Sequence, residues 1–279
     1  MISDVVMRHE HKRVRLRPAG ETINPLHYEV AAIPDDTTAR LFIVQHHYAA
    51  SYPSARFRFG LYWGGLLVGV AVFSHPINER TLAVFPGEPG QAVELGRLVL
   101  LDFVPGNAES WFIARCFELL RKVGVVGVVS FSDPVPRATV TGRLVLIGHV
   151  GVIYQATNAL YTGTSKAETK LLLPDGLVLH ARALAKIRAR DSRIASAIKP
   201  LYQHGAARLL DSEDAAAWVT RWVGILCRRL WHTGNHRYLF ALDRATRKHL
   251  LRAPKADDAV PPPKVLPYPR INRAVLGPS

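Results

Sequence analysis

Apolar and polar positions along this chain follow two rhythms, and their order predicts the architecture. ARLFIVQHHYAA, ending at Ala50, spaces Leu41, Val44 and Tyr48 as one face of a helix and stops at the turn SYPS. FRFGLYW and LLVGVAVFS are rich in β-formers and joined by Gly64-Gly65, a hairpin signal. AVELGRLVLLDF (92–103) is a third strand, which runs through PGNAES into WFIARCFELLRKVG, an amphipathic helix closed by Gly124. VVGVVSFSDP is an apolar fourth strand with a polar end. GHVGVIYQATNALYTG (148–163) is expected to be a helix. Its spacing puts Tyr154, Asn158 and Tyr161 on one face and Val150, Ile153, Thr157 and Leu160 on the other. KAETKLLLPDGLVL predicts two short strands about a PDG turn, and NHRYLFALD a last strand.

This succession predicts an α/β fold, a mixed and partly parallel sheet flanked by helices. Residues 1–25 read as a basic arm, 26–252 as the main domain, and 253–279, with PPPKVLPYPR, as an extended Pro-rich tail. Within 182–235 lie basic helical additions. RALAKIRARDSRIASAIKPLY is followed by a helix capped by Asp211 or Ser212, with Ala215, Trp218, Val219, Trp222, Val223, Leu226 and Leu230 along one face.

Charge changes the picture. The 279 residues carry 36 Lys and Arg against 22 Asp and Glu, a net +14 with a pI near 10.2. Sixteen of the basic residues but only five of the acidic ones fall between Arg182 and Lys255, a concentration that favours a binding face for a polyanion such as nucleic acid. Arg182, Lys186, Arg188, Arg190 and Arg193 are the candidate DNA contacts. No apolar run is long enough for a membrane span, and the charged start MISDVVMRHEHKRVRLRP is unlike a signal peptide. Cys116 and Cys227 read as reduced core residues of a cytoplasmic protein.

Chemistry concentrates in a few places. PGNAES feeds a helix N-terminus, where backbone amides and the helix dipole suit a phosphate, but the Gly-rich consensus of nucleotide-binding loops is absent. The end of VVGVVSFSDP places Ser130, Ser132 and Asp133 at a sheet's carboxyl edge, or simply starts a turn. In QHHY, adjacent His46 and His47 cannot both face one ligand, so one of them is expected at the surface. The Tyr154 stripe either contacts a cofactor or hydrogen-bonds at the rim of the core.

Taken in order, QHHYAASYP, FGLYWGGLLVGVAVFS, ELGRLVLLD with PGNAES, VVSFSDP, GHVGVIYQATNALYTG and NHRYLF resemble the Mom DNA-modification proteins of Mu-like phages, placed in the GNAT superfamily of acetyl-CoA-dependent N-acyltransferases. The resemblance spans roughly residues 40 to 245. It implies a GNAT-like catalytic domain that converts adenine in double-stranded DNA to an N6-carbamoylmethyl derivative, shielding the DNA from restriction. It implies that Leu98, Val99 and Leu100 lie along the pantetheine arm and that Arg97, Asn107 and Ser110 contact phosphate, with Asn158 and Tyr161 beside the cofactor. His47, Tyr48, Ser130, Asp133 and Tyr154 match the catalytic positions, Tyr154 as the donor to the leaving thiolate. The family is linked to iron, for which His47, Asp133 and His149 are the candidate ligand types. Tyr48, Tyr52 and Trp63 are candidates to stack on a flipped base, Trp63 being better suited to the core. The alternatives are a GNAT acting on a protein or small amine, and a non-catalytic DNA-binding protein with a GNAT shell.

Overall fold

The computed structural model describes residues 5–11, 13–18 and 20–270. The chain begins with β1 (Val5–Glu10), β2 (Arg13–Pro18), β3 (Tyr28–Ala32), α1 (Asp36–His46), β4 (Ala55–Trp63) and β5 (Leu66–Ser74). Then come β6 (Ala92–Leu100), α2 (Ala108–Lys122), β7 (Gly127–Ser132), β8 (Arg137–Ala138), β9 (Leu144–Leu146), α3 (Val152–Ala156) and β10 (Leu160–Thr164). It finishes with β11 (Glu168–Leu172), β12 (Val178–Leu179), α4 (Ala181–Arg188), α5 (Ile194–Gln203), α6 (Ala215–Leu226), β13 (Arg228–His232), β14 (His236–Ala241) and α7 (Arg244–Leu251). These elements form two compact units. The first comprises residues 1–134, 147–165 and 235–279, the second 135–146 and 166–234.

The first unit is built on a seven-stranded sheet ordered β10-β14-β7-β6-β5-β4-β3. Only β6 and β7 run parallel; every other neighbouring pair is antiparallel. The expected mixed sheet flanked by helices is therefore present. Alternation along β5 supplies both faces, because Ala71 and Phe73 pack with Phe112, Ile113, Cys116 and Leu120 of α2, while Val70 and Val72 pack with Ala39 and Ile43 of α1. Gly64 and Gly65, at φ of 55° and 82°, make the predicted hairpin turn between β4 and β5.

Several expectations change. Asp35 caps α1 by accepting the Thr38 amide at 2.8 Å, and this start turns Ala39, Ile43 and His46 inward. The predicted face is wrong: Leu41 and Val44 are exposed. The helix expected over 148–163 is a single short turn, α3. The Thr157 hydroxyl donates to the Ile153 carbonyl at 2.9 Å, Asn158 adopts a left-handed φ of 60°, and the β-prone LYTGT then pairs with β14 as an edge strand. Tyr154, Asn158 and Tyr161 thus share no helical face. Within the stretch read as an arm, β1 and β2 pair as a hairpin, and β3 was not predicted. The tail has no regular structure as far as Arg270, yet it is anchored. The Leu266 amide donates to the Tyr161 carbonyl at 2.9 Å and the Tyr268 hydroxyl to that of Ala159 at 2.6 Å. Residues 271–279 lie outside the described residues.

In the second unit, the expected PDG turn connects β11 and β12, which join β13 in a three-stranded sheet ordered β12-β11-β13, beside a small β8–β9 ladder. Leu184, Ile187, Ala197, Ile198, Leu201, Trp218 and Val219 form its own core from α4, α5 and α6. Asp214, not Asp211 or Ser212, caps α6, its side chain accepting the Ala216 amide at 2.8 Å. Leu230 falls on β13, off the helix. Among the described residues, no helix is long and apolar enough to cross a membrane.

Candidate functional site

A fork in the central sheet organises the site. β6 and β7 pair only over Ala92–Leu95 and Gly127–Ser130, although β6 continues along β5 to Leu100. The register slips at Gly96, where a Cβ would lie 2.6 Å from Ser74 Oγ, so a glycine is what the kink requires. Beyond it, Leu98, Val99 and Leu100 are bonded to β5 and carry no ladder toward β7.

Polar side chains gather at the apex. Ser130 is fully buried and its hydroxyl donates to the Leu95 carbonyl at 3.1 Å. Tyr154 packs against Tyr238 and Phe240, with ring centroids 5.4 and 5.9 Å away. Burial holds the Tyr154 phenol well above its usual pKa, with a hydrogen bond to Ser130 opposing. Gly151, left-handed at φ 68°, lets α3 start this close, since a Cβ there would be 2.8 Å from both the Tyr154 and Tyr238 rings. Arg97 donates to the Ser51 carbonyl at 2.9 Å and hydroxyl at 2.8 Å. Burial lowers the guanidinium's pKa, and Tyr48, Glu94 and Tyr154 oppose the shift. Glu94 is raised by its own burial, with Arg97 opposing. Sequence reasoning overlooked Glu94, whose signal is a lone carboxylate inside the apolar strand AVELGRLVLL.

His47 ends α1 in a buried position beside Tyr48, ring centroids 4.3 Å apart. Its Nδ1 accepts the Ala49 amide at 3.0 Å, which places the neutral ring's proton on Nε2. His46 is equally buried, against the His11 and Phe42 rings, so neither histidine is the surface residue expected. Asp133 follows β7, and its carbonyl accepts the His149 amide at 2.8 Å. Among the described residues no three His, Cys, Asp or Glu side chains group as a metal site, so His47, Asp133 and His149 do not form one and the iron expectation gains no support. Tyr52 donates to Asp36 at 2.8 Å, and Trp63 is exposed against Phe103 rather than in the core.

A groove of about 680 Å³ runs between the start of α2 and the end of α3, lined by Thr22, Ile23, Asn107, Ser110, Trp111, Phe117 and Asn158 among others. The structure therefore brings Asn107, Ser110 and Asn158 together; Trp111 and Phe117 are additions the sequence reading lacked. Tyr161 lies elsewhere, its hydroxyl 3.0 Å from His236 Nδ1. The connection from β6 to α2 is tightly held. Buried Arg8 pairs with Glu109 and donates to the carbonyls of Leu101, Asp102, Val104 and Pro105. The Gly106 amide donates to Glu21 at 3.0 Å, and Asn107 Oδ1 accepts the Ile23 amide at 2.7 Å.

In the second unit, Arg182 and Arg188 stand exposed on α4, and Lys186 is half-buried. Arg190 donates to the carbonyls of Leu210 and Glu213, at 2.8 and 2.6 Å, and Arg193 pairs with Asp191.

Residues 27–257 match the model of the Mom protein family. Similar solved structures include a tandem GNAT protein from the clavulanic acid biosynthesis pathway, 11% identical over 77% of this chain and 99% of that one, with a TM-score of 0.39. An IAA acetyltransferase from Bacillus cereus ATCC 14579 is 10% identical over 77% and 99%, with a TM-score of 0.31. A Bacillus subtilis acetyltransferase in complex with CoA is 11% identical over 85% and 99%, with a TM-score of 0.30. Superpositions this loose carry no argument about the site. No curated protein matches the sequence.

Proposed function

Because the chain belongs to the Mom protein family through residues 27–257, we propose that it is a GNAT-type, acyl-CoA-dependent transferase that converts adenine in double-stranded DNA to its N6-carbamoylmethyl derivative. The observation that carries this reading is the fork, with Ser130 and Tyr154 buried at its apex and a groove leading along α2.

When bound, an acyl-CoA supplies an activated acyl thioester. The unladdered backbone of Leu98, Val99 and Leu100 suits the amides of the pantetheine arm, and Asn107, Ser110 and the first amides of α2 suit its diphosphate. Asn158 lines the same groove. Tyr154 keeps its proton at neutral pH, because burial disfavours the phenolate, and so serves as the donor at the apex. Glu94, disposed by its burial to take up a proton, accepts the one that N6 gives up. Because acyl transfer alone would leave N6-acetyladenine, the carbamoylmethyl product further requires an ammonia-level nitrogen donor and a two-electron oxidant. Adenine N6 sits inside the base pair, so the base must leave the stack, and Tyr48 offers an aromatic face for it. The exposed cations of α4, Arg182 and Arg188, contact the phosphate backbone.

Expression beside a plasmid, followed by digestion of the DNA and mass spectrometry of the nucleosides, tests the proposal. A deoxyadenosine heavier by an acetamido group is expected. An acetyl increment would mean direct acyl transfer, and unmodified DNA from well-expressed soluble protein would sink the reading.

A further inference from the structure

The turn that leads into α2 already holds an anion from its own chain. Gly106 donates its N–H to Glu21 Oε2 at 3.0 Å. Arg17 grips the same carboxylate with two prongs, Nε to Oε2 at 3.0 Å and Nη2 to Oε1 at 2.5 Å, and also donates to the Asp102 carbonyl. A carboxylate seated on a backbone amide at the entrance to a 15-residue helix stands where such helix starts accept anions generally, phosphate oxygens included. The groove opens beside it, where Thr22, Ile23, Asn107 and Ser110 are neighbours. Arg17 and Glu21 precede the residues matched by the family, 27–257.

We propose that Glu21 is an internal stand-in for the diphosphate of the acyl-CoA, and that Arg17 passes from Glu21 to that diphosphate when the ligand arrives. The inference rests on the acyl-CoA reading given above. Two ion pairs on one connection divide the work. Arg8–Glu109 is sealed, its side chains 1% and 9% exposed, and fixes the turn. Arg17–Glu21 lies at the surface, 22% and 33% exposed, where releasing a carboxylate to water has little penalty. A guanidinium fork fits a carboxylate or a phosphate with the same geometry, so Arg17 exchanges partners without giving up a charged bond. Binding therefore swaps one anion for another on a prebuilt cradle.

Titration of the full chain with CoA tests the exchange. Glu21→Gln is expected to tighten CoA roughly three- to fivefold, because the competing charge is gone. Such a gain cannot come from misfolding. Arg17→Gln is expected to weaken CoA about tenfold, with Arg17→Lys recovering part of the loss. In the wild type, the Gly106 amide resonance should move as CoA is added. A Glu21→Gln variant that binds CoA no more tightly than the wild type, or a Gly106 resonance that stays in place, overturns the exchange and leaves the acyl-CoA reading standing. A wild type that binds no CoA overturns both.

Discussion

The first compact unit carries a net charge of about +6 on roughly 198 residues and buries Arg8, Glu109, His46 and His47. The second carries fourteen of the Lys and Arg but six of the Asp and Glu, a net +8 on roughly 81 residues, and buries no Lys, Arg, Asp or Glu. Interior charges need named partners, and each partner fixes a piece of backbone; surface charges need only water and sum into a field. The first unit thus holds charges at a fixed geometry and the second carries an unneutralised positive surplus; under the proposed function the chemistry falls to the first and the contact with DNA to the second. A single substitution should do different things in each.

The largest effect is expected at Arg8. Arg8→Ala leaves Glu109 buried and uncompensated among the carbonyls of the β6–α2 connection, and should destabilise the first unit by about 3–5 kcal/mol in denaturant unfolding. A loss below about 1 kcal/mol would show that the unit tolerates free interior charge and would erase the contrast. Next is Tyr154→Phe, which keeps the ring packing on Tyr238 and Phe240 and removes only the hydroxyl, the proposed proton donor. DNA modification should fall by about a hundredfold or more with the melting temperature little changed. A fully active variant would take the donor role away from Tyr154.

In the second unit, charge reversal at Arg182 and Arg188 should weaken DNA binding and flatten its log–log salt dependence by about one per lost phosphate contact, with folding intact. Arg190→Glu should instead loosen the unit, because its guanidinium holds the Leu210 and Glu213 carbonyls. If both changes act alike, the division between adhesive and structural arginines fails. The smallest effect concerns Glu94. A carboxyl whose pKa is raised by burial stabilises the fold while protonated and loses that contribution as pH rises through its raised value. Glu94→Gln should therefore gain thermal stability relative to the wild type between pH 4 and pH 8, by less than about 1 kcal/mol. A difference that is flat with pH removes Glu94 from the titrating groups at the fork.

Local signals were legible in the sequence wherever one physical cause dominates. Gly64-Gly65 forces a turn of one hand, and Gly124 closes α2 at a φ of 80°. Ser130 and Asn158 stood out as polar groups in apolar stretches, Tyr154 as part of a polar-aromatic stripe, and Asn107 as a turn residue before α2. What could not be read is pairing at a distance. Nothing near LYTGT says that β14, some seventy residues on, claims it as a strand and shortens the helix before it. Nothing in MRHEH says that Arg8 reaches Glu109, and the buried face of α1 depended on where Asp35 placed its first turn. Glu94 showed itself only as a lone carboxylate in an apolar strand, and its role was not legible because a strand's alternation gives a carboxylate a side but not a neighbour.

The anchoring of Leu266 and Tyr268 along β10 has a practical consequence for anyone handling this chain. β10 is one of the two edge strands of the seven, and that stretch of tail bonds to it through the Tyr161 and Ala159 carbonyls. A deletion that removes Leu266 and Tyr268 would uncover backbone able to pair with a second copy, and the trimmed protein should self-associate on concentration more readily than the untrimmed chain. Shortening from the C-terminus is thus a way to turn a stable sheet into a sticky one.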